Sequence, residues 1–160
     1  MGLDMYLYAQ KYVGGWAHAK GWAHAKDRIH EFDNLTRLYP EIKVSDDSPS
    51  AQIQFTVGYW RKANAIHNWF VEKVQGGEDE CRPHYVERSQ LLELRDNCKL
   101  EQLVTADTRG AGLLEPASGF FFGNAERDEW YYDNLNRTIE IVDKCLRLSD
   151  EWSFEYRSSW

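Results

Sequence analysis

Hydrophobic positions along the chain switch between two periods. Residues 3–8 read LDMYLY, with Leu3, Met5 and Leu7 alternating with Asp4, Tyr6 and Tyr8, the signature of a half-buried strand. From Asp27 to Tyr39 the period lengthens. Ile29, Phe32, Leu35 (or Thr36) and Tyr39 recur at three- and four-residue steps before Pro40, which predicts a helix. Residues 45–50, SDDSPS, form a loop by composition, and 52–57, QIQFTV, set Ile53, Phe55 and Val57 on one face of a second strand. A helix is expected from Tyr59 to Gln75, stopped by Gly76-Gly77. Tyr85-Val86 predicts a short strand. Ser89 opens a helix carrying Leu91, Leu92, Leu94, Cys98 and Leu103. Thr105–Ala117 reads as a loop and Gly119–Phe122 as a short apolar strand. Asn124 is the expected cap of a last helix with Tyr131, Leu135, Ile139, Val142 and Leu146 on one stripe. The tail alternates through Trp152, Phe154, Tyr156, Ser158 and Trp160, a final strand.

Short alternating strands interleaved with helices predict an α+β fold: one domain over residues 1–160, with a small antiparallel or mixed sheet and helices mainly on one side. One segment stands apart. GWAHAK at 15–20 is followed at once by an identical copy at 21–26, so histidines fall at 18, 24 and 30. A step of six turns about 240° around a helix, so the three imidazoles would not share a metal. A local duplication in a surface insert at about 15–50 is the expected reading, with a metal-binding or ligand-covering flap as the alternative.

Composition narrows the function. With 19 basic and 26 acidic residues the net charge is −7, which argues against extended binding to a nucleic-acid backbone. Cys81, Cys98 and Cys145 are odd in number and contain no CxxC, which suits free thiols in a reducing compartment. Neither a signal peptide nor a membrane span is recognisable, so a cytoplasmic protein is expected. No Gly-rich loop follows a strand in Rossmann or P-loop form, no Ser-His-Asp set is present, and no cofactor or metal is called for. Aromatics are abundant at 14%, including seven Trp, and offer stacking surface.

The densest chemistry lies in residues 59–70, YWRKANAIHNWF. On a helical wheel Tyr59, Ala63, Ile66, Phe70 and Val74 form a core stripe. Trp60, Asn64 and His67 run beside it, and Arg61, Asn68 and Glu72 lie one row further out. Trp60 would stack, Asn64 and Asn68 would donate and accept, His67 would donate, accept or carry charge, and Arg61 would clamp a phosphate or carboxylate. The bland alternative makes Trp60 and His67 border residues of the core. Ser118 and Gly119, at the start of SGFFFG, are candidates to close such a pocket. In an enzyme reading His67 is the general base, assisted by Arg61 and one of Glu126, Asp128 or Glu129. Acids in a first helical turn are also expected from the helix dipole alone.

Four blocks in order — MGLDMYL, YWRKANAIHNWFVEKVQ, SGFFFG followed by DEWY, and the terminal SSW — resemble a family of small proteins encoded by bacteriophages and prophages. The resemblance spans nearly the whole chain except about residues 16–50. It implies a setting, the cytoplasm of an infected bacterium, rather than a reaction. In that setting the expectation is an accessory protein that binds and sequesters a nucleotide-like host-defence signal. A hydrolase or lyase on such a substrate is the alternative, and a protein inhibitor of a host enzyme a third reading. A small molecule or a host defence protein is the expected partner, with homo-oligomerisation left open.

Overall fold

The computed structural model describes residues 2–14, 25–42, 50–103, 113–116 and 126–160. Among these, four strands and four helices follow one another as β1 (Asp4–Gly14), α1 (Ala25–Leu38), β2 (Ser50–Arg61), α2 (Asn64–Lys73), β3 (His84–Val86), α3 (Arg88–Glu101), α4 (Glu129–Leu146) and β4 (Ser153–Ser159). The strands form one antiparallel sheet in the order β2-β1-β4-β3, giving the α+β fold. The β3–β4 pair has Tyr85 opposite Glu155. The GWAHAK copies, apart from Ala25 and Lys26, and the SGFFFG segment with Ser118, Gly119 and Asn124 lie outside the described residues.

The chain divides into two compact units, Met1–Ala9 with Thr56–Trp160, and Gln10–Phe55. In the larger unit, alternation sorts the strands cleanly. Leu3, Met5 and Leu7 of the N-terminal segment and Phe154, Tyr156 and Ser158 of β4 are buried, while the residues between them are half-buried or exposed. That face packs on α2 through Ile66 and Phe70, on α3 through Leu91, Leu94 and Cys98, and on α4 through Leu135, Val142 and Cys145. Tyr156 stacks on Phe70 with ring centroids 3.8 Å apart. The opposite face carries Tyr6, whose ring lies 6.1 Å from that of Tyr8 and 5.4 Å from that of Tyr59.

In the smaller unit, Lys11 sits at a buried strand position because its ammonium pairs with Glu31 of α1 at 2.9 Å. The Tyr12 hydroxyl donates to the Ser50 hydroxyl at 2.9 Å. Phe32 is buried, whereas Tyr39, expected on the same helical stripe, is exposed beyond the end of α1.

Three local expectations are corrected. First, β2 does not stop at Val57. It runs to Arg61, so the helix begins at Asn64 rather than Tyr59. The break is at Lys62, whose φ of 54° lies in the left-handed region and cannot continue either a strand or a right-handed helix. Second, the face of β2 that carries Ile53, Phe55 and Val57 is not the fully buried one: Ile53 and Val57 are half-buried, with Val57 packed against the core, Phe55 is exposed, and the buried positions of the strand are Gly58 and Trp60. A Cβ on Gly58 would lie 2.8 Å from Ile141 Cγ2, so the absent side chain is what lets α4 lie close on the strand. Third, the cap of α4, expected at Asn124, is Asp128, whose carboxylate accepts from the Tyr131 N–H at 3.0 Å. The expected helix stop holds: α2 ends at Lys73, and Gly76 and Gly77 both take positive φ.

Candidate functional site

Because Trp60 belongs to β2, the row Trp60–Asn64–His67 does not exist as a row. Trp60 is 1% exposed; its indole N–H donates to the Thr138 hydroxyl at 2.9 Å and its ring lies 6.2 Å from that of Phe70. That is the bland core role, and it offers no face to a ligand. Arg61 is exposed at the end of β2. Asn64, His67 and Asn68 do lie on α2, but the helix carries them to different neighbours. Asn64 opens the helix beside Glu126 and Asp128. His67 turns inward to β4. Asn68 is half-buried and its amide donates to the Glu115 carbonyl at 3.4 Å.

His67 is 1% exposed and held from both sides. Nε2 lies 3.1 Å from the Asp79 carboxylate and Nδ1 lies 2.7 Å from the Tyr156 hydroxyl. A carboxylate only accepts, so Nε2 carries the proton and Nδ1 accepts from the phenol. Burial lowers the His67 pKa, and the Asp79 hydrogen bond and charge oppose that shift without cancelling it. Burial also raises the Tyr156 phenol well above its ordinary value, which keeps it a donor. The Trp160 indole N–H donates to the other Asp79 oxygen at 3.2 Å. The relay therefore ties α2, the loop after it, the middle of β4 and the residue that follows the strand together. A general base must reach its substrate's proton, and both nitrogens of His67 already hold protein partners.

A second arrangement surrounds the start of α2. Ala63 occupies the N-cap position and supplies no side-chain acceptor, so the first N–H groups of the helix donate no capping hydrogen bond to it. Around them Lys62, Asn64, Glu126, Asp128, Trp130 and Asn134 line a cleft. The cleft has a volume of about 20 Å³, room for one water-sized polar group. Trp130 lies at its rim with 56% of its surface exposed, the aromatic face that Trp60 does not provide. The cleft mixes signs. Lys62 and the helix N-terminus attract an acceptor, while the carboxylates of Glu126 and Asp128 attract a donor. This suits a ligand edge that presents both.

Glu101 and Arg127 were invisible in the sequence. Glu101 is 1% exposed, pairs with Arg127 at 3.0 Å and accepts from the Leu113 N–H at 2.9 Å. Arg127 also meets Glu115 at 3.2 Å, and the Tyr131 hydroxyl donates to the Leu114 carbonyl at 3.0 Å. Together these bonds fasten residues 113–115 to the end of α3 and the start of α4. Nothing local in the sequence distinguishes Glu101 from any exposed acid at a helix end, and the partners of His67 lie 12 and 89 residues away. Trp130 had one signal, a large aromatic in the first turn of a helix, where the core stripe does not need it.

No protein-family model, curated protein or solved structure matches the chain. Among the described residues no group of three or more His, Cys, Asp or Glu is arranged to hold a metal ion. Among the same residues no helix is long and apolar enough to cross a membrane.

Proposed function

We propose that this chain is a binding protein for a small nucleotide-like ligand, held at the N-terminus of α2. The observation that carries the reading is the cleft itself: an exposed indole face beside an Asn, a Lys and two carboxylates, at a helix start with no side-chain cap. A nucleobase is flat and carries donors and acceptors on one edge. Its edge would enter beside Asn64, its ring would lie on Trp130, and Lys62 would meet a phosphate. In the setting implied by the bacteriophage resemblance, the ligand is a nucleotide signal of host defence, and holding it in the bacterial cytoplasm would blunt that signal. The engaged state of His67 favours binding over turnover as the role of this region.

The test is thermal unfolding of the purified protein against a panel of nucleotides and cyclic nucleotides, with each mixture then separated by chromatography. A ligand at a hundredfold excess over its Kd stabilises the native state by about 2.7 kcal/mol, a readily measured shift. We expect one member of the panel to raise the melting temperature, to be recovered unchanged, and to lose its effect in Trp130→Ala. A recovered product would make the protein an enzyme. A panel without any shift, or a shift retained in full by Trp130→Ala, would overturn the assignment.

A further inference from the structure

Among the described residues, β2 is an edge strand of the sheet. The polarity of its edge follows from two hydrogen bonds. The Lys62 N–H donates to the Leu3 carbonyl at 2.8 Å, toward β1, while the Tyr59 carbonyl accepts from Arg137 Nε of α4 at 2.8 Å, away from it. In an antiparallel ladder a residue sends its N–H and its C=O the same way, and neighbours alternate. Gly58 and Trp60 thus face β1, whereas Val57 and Tyr59 turn both backbone groups outward. Beside this edge α4 lies close, because Gly58 leaves room for Ile141. Strand edge and helix bound a groove of about 410 Å³ between Val57 and Tyr59 on one side and Arg137, Glu140, Ile141 and Lys144 on the other. Arg137, Glu140 and Lys144 are all exposed.

We propose that this groove is a strand-docking site for an extended acidic segment of a partner protein. An exposed strand edge offers unpaired backbone groups that another strand can satisfy, and a neighbouring helix selects the added side chains. The charge complementarity is local. Two cations and one carboxylate line the groove in a chain whose net charge is −7, so an acidic strand is attracted here and repelled by most of the remaining surface. The added strand pairs with the N–H and C=O of Val57, and its carboxylates meet Arg137 and Lys144. A second copy of this chain fits less well. Residues 56–59, TVGY, bring no carboxylate, and two copies joined edge to edge would set Arg137 and Lys144 against their own kind.

The experiment is selection of a displayed random-peptide library on the immobilised full-length protein, followed by fluorescence anisotropy of the most frequent peptide. Val57→Pro deletes the outward N–H at an edge position where proline is tolerated. Lys144→Glu reverses one exposed charge and leaves the backbone untouched. We expect acidic peptides with alternating β-branched residues, bound at least about tenfold more weakly by each variant. Failure to enrich peptides, enrichment of peptides without acids, or affinity unchanged in both variants would overturn the proposal. A concentration-dependent dimer in sedimentation that Val57→Pro dissolves would also overturn it, by assigning the edge to a second copy. Trp130→Ala should leave peptide binding intact, which separates this site from the cleft at α2.

Discussion

Acidification should strain the protein at His67. In the native state the imidazole is neutral, donating to Asp79 and accepting from Tyr156, and burial holds its pKa below the ordinary value near 6.5. The unfolded chain takes up the proton as pH falls through about 6.5, while the native state takes it up only at a lower pH. Between those two points the unfolded state binds up to one proton more, so stability falls with falling pH. The limiting slope is about 1.4 kcal/mol per pH unit. The groups facing the ring set the real size. Asp79 favours the imidazolium and shortens the window, whereas the Tyr156 phenol stays protonated throughout it. His67→Gln removes the titration and keeps an amide donor for Asp79. Urea unfolding followed by tryptophan fluorescence, from about pH 7.5 to about pH 5.5, measures both proteins. The quantity of interest is the wild-type stability minus that of His67→Gln at each pH. It should decline on acidification, by no more than the limiting slope allows. Parallel profiles, or a wild type that gains on the variant as pH falls, would refute the neutral, buried assignment.

Two further outcomes follow from packing. Gly58→Ala puts a Cβ 2.8 Å from Ile141 Cγ2, 3.0 Å from the Trp60 ring and 3.1 Å from Leu7 Cβ, so it should destabilise by about 1–3 kcal/mol, less up to about 1 kcal/mol from the stiffer unfolded chain. Combined with Ile141→Ala, which removes the nearest atom, the two changes should be less than additive in chemical denaturation. Burial pushes the Cys98 thiol up to about 12 and the Cys145 thiol up to about 11, while Cys81 is exposed. A thiol reagent should therefore label one cysteine quickly in native protein and all three only after unfolding, a count that mass spectrometry reads directly.

Much of the fold was legible because its signals are local. The Leu3-Met5-Leu7 alternation, the Phe154-Tyr156-Ser158 alternation, the stripe of α4 and the glycines after α2 each depend on residues within a few positions of one another. The misreading fell where two periods overlap. Tyr59, Ala63 and Ile66 fit a helix, but Gly58 and Trp60 also fit a strand. The conformation of Lys62, which decides between them, leaves no mark on residue type. Asp128 displaced Asn124 as cap for a similar reason, since both residue types cap well and only the course of the chain selects one.

Periodicity along the chain sets the class of the fold, the larger part of its core, and the helix on which Asn64, His67 and Asn68 reside. What those side chains face was decided by the tertiary structure. His67 became a buried tie because Tyr156 and Asp79 arrive from distant parts of the chain, and Trp60 became core because Thr138 of α4 meets its N–H. The exposed indole of the candidate cleft is Trp130, brought beside Asn64 by the packing of α4 against α2. Periodicity reports which face of an element seeks burial, because burial of apolar surface is non-directional. Hydrogen bonds and ion pairs need particular atoms at particular distances, and contacts across the fold set those distances.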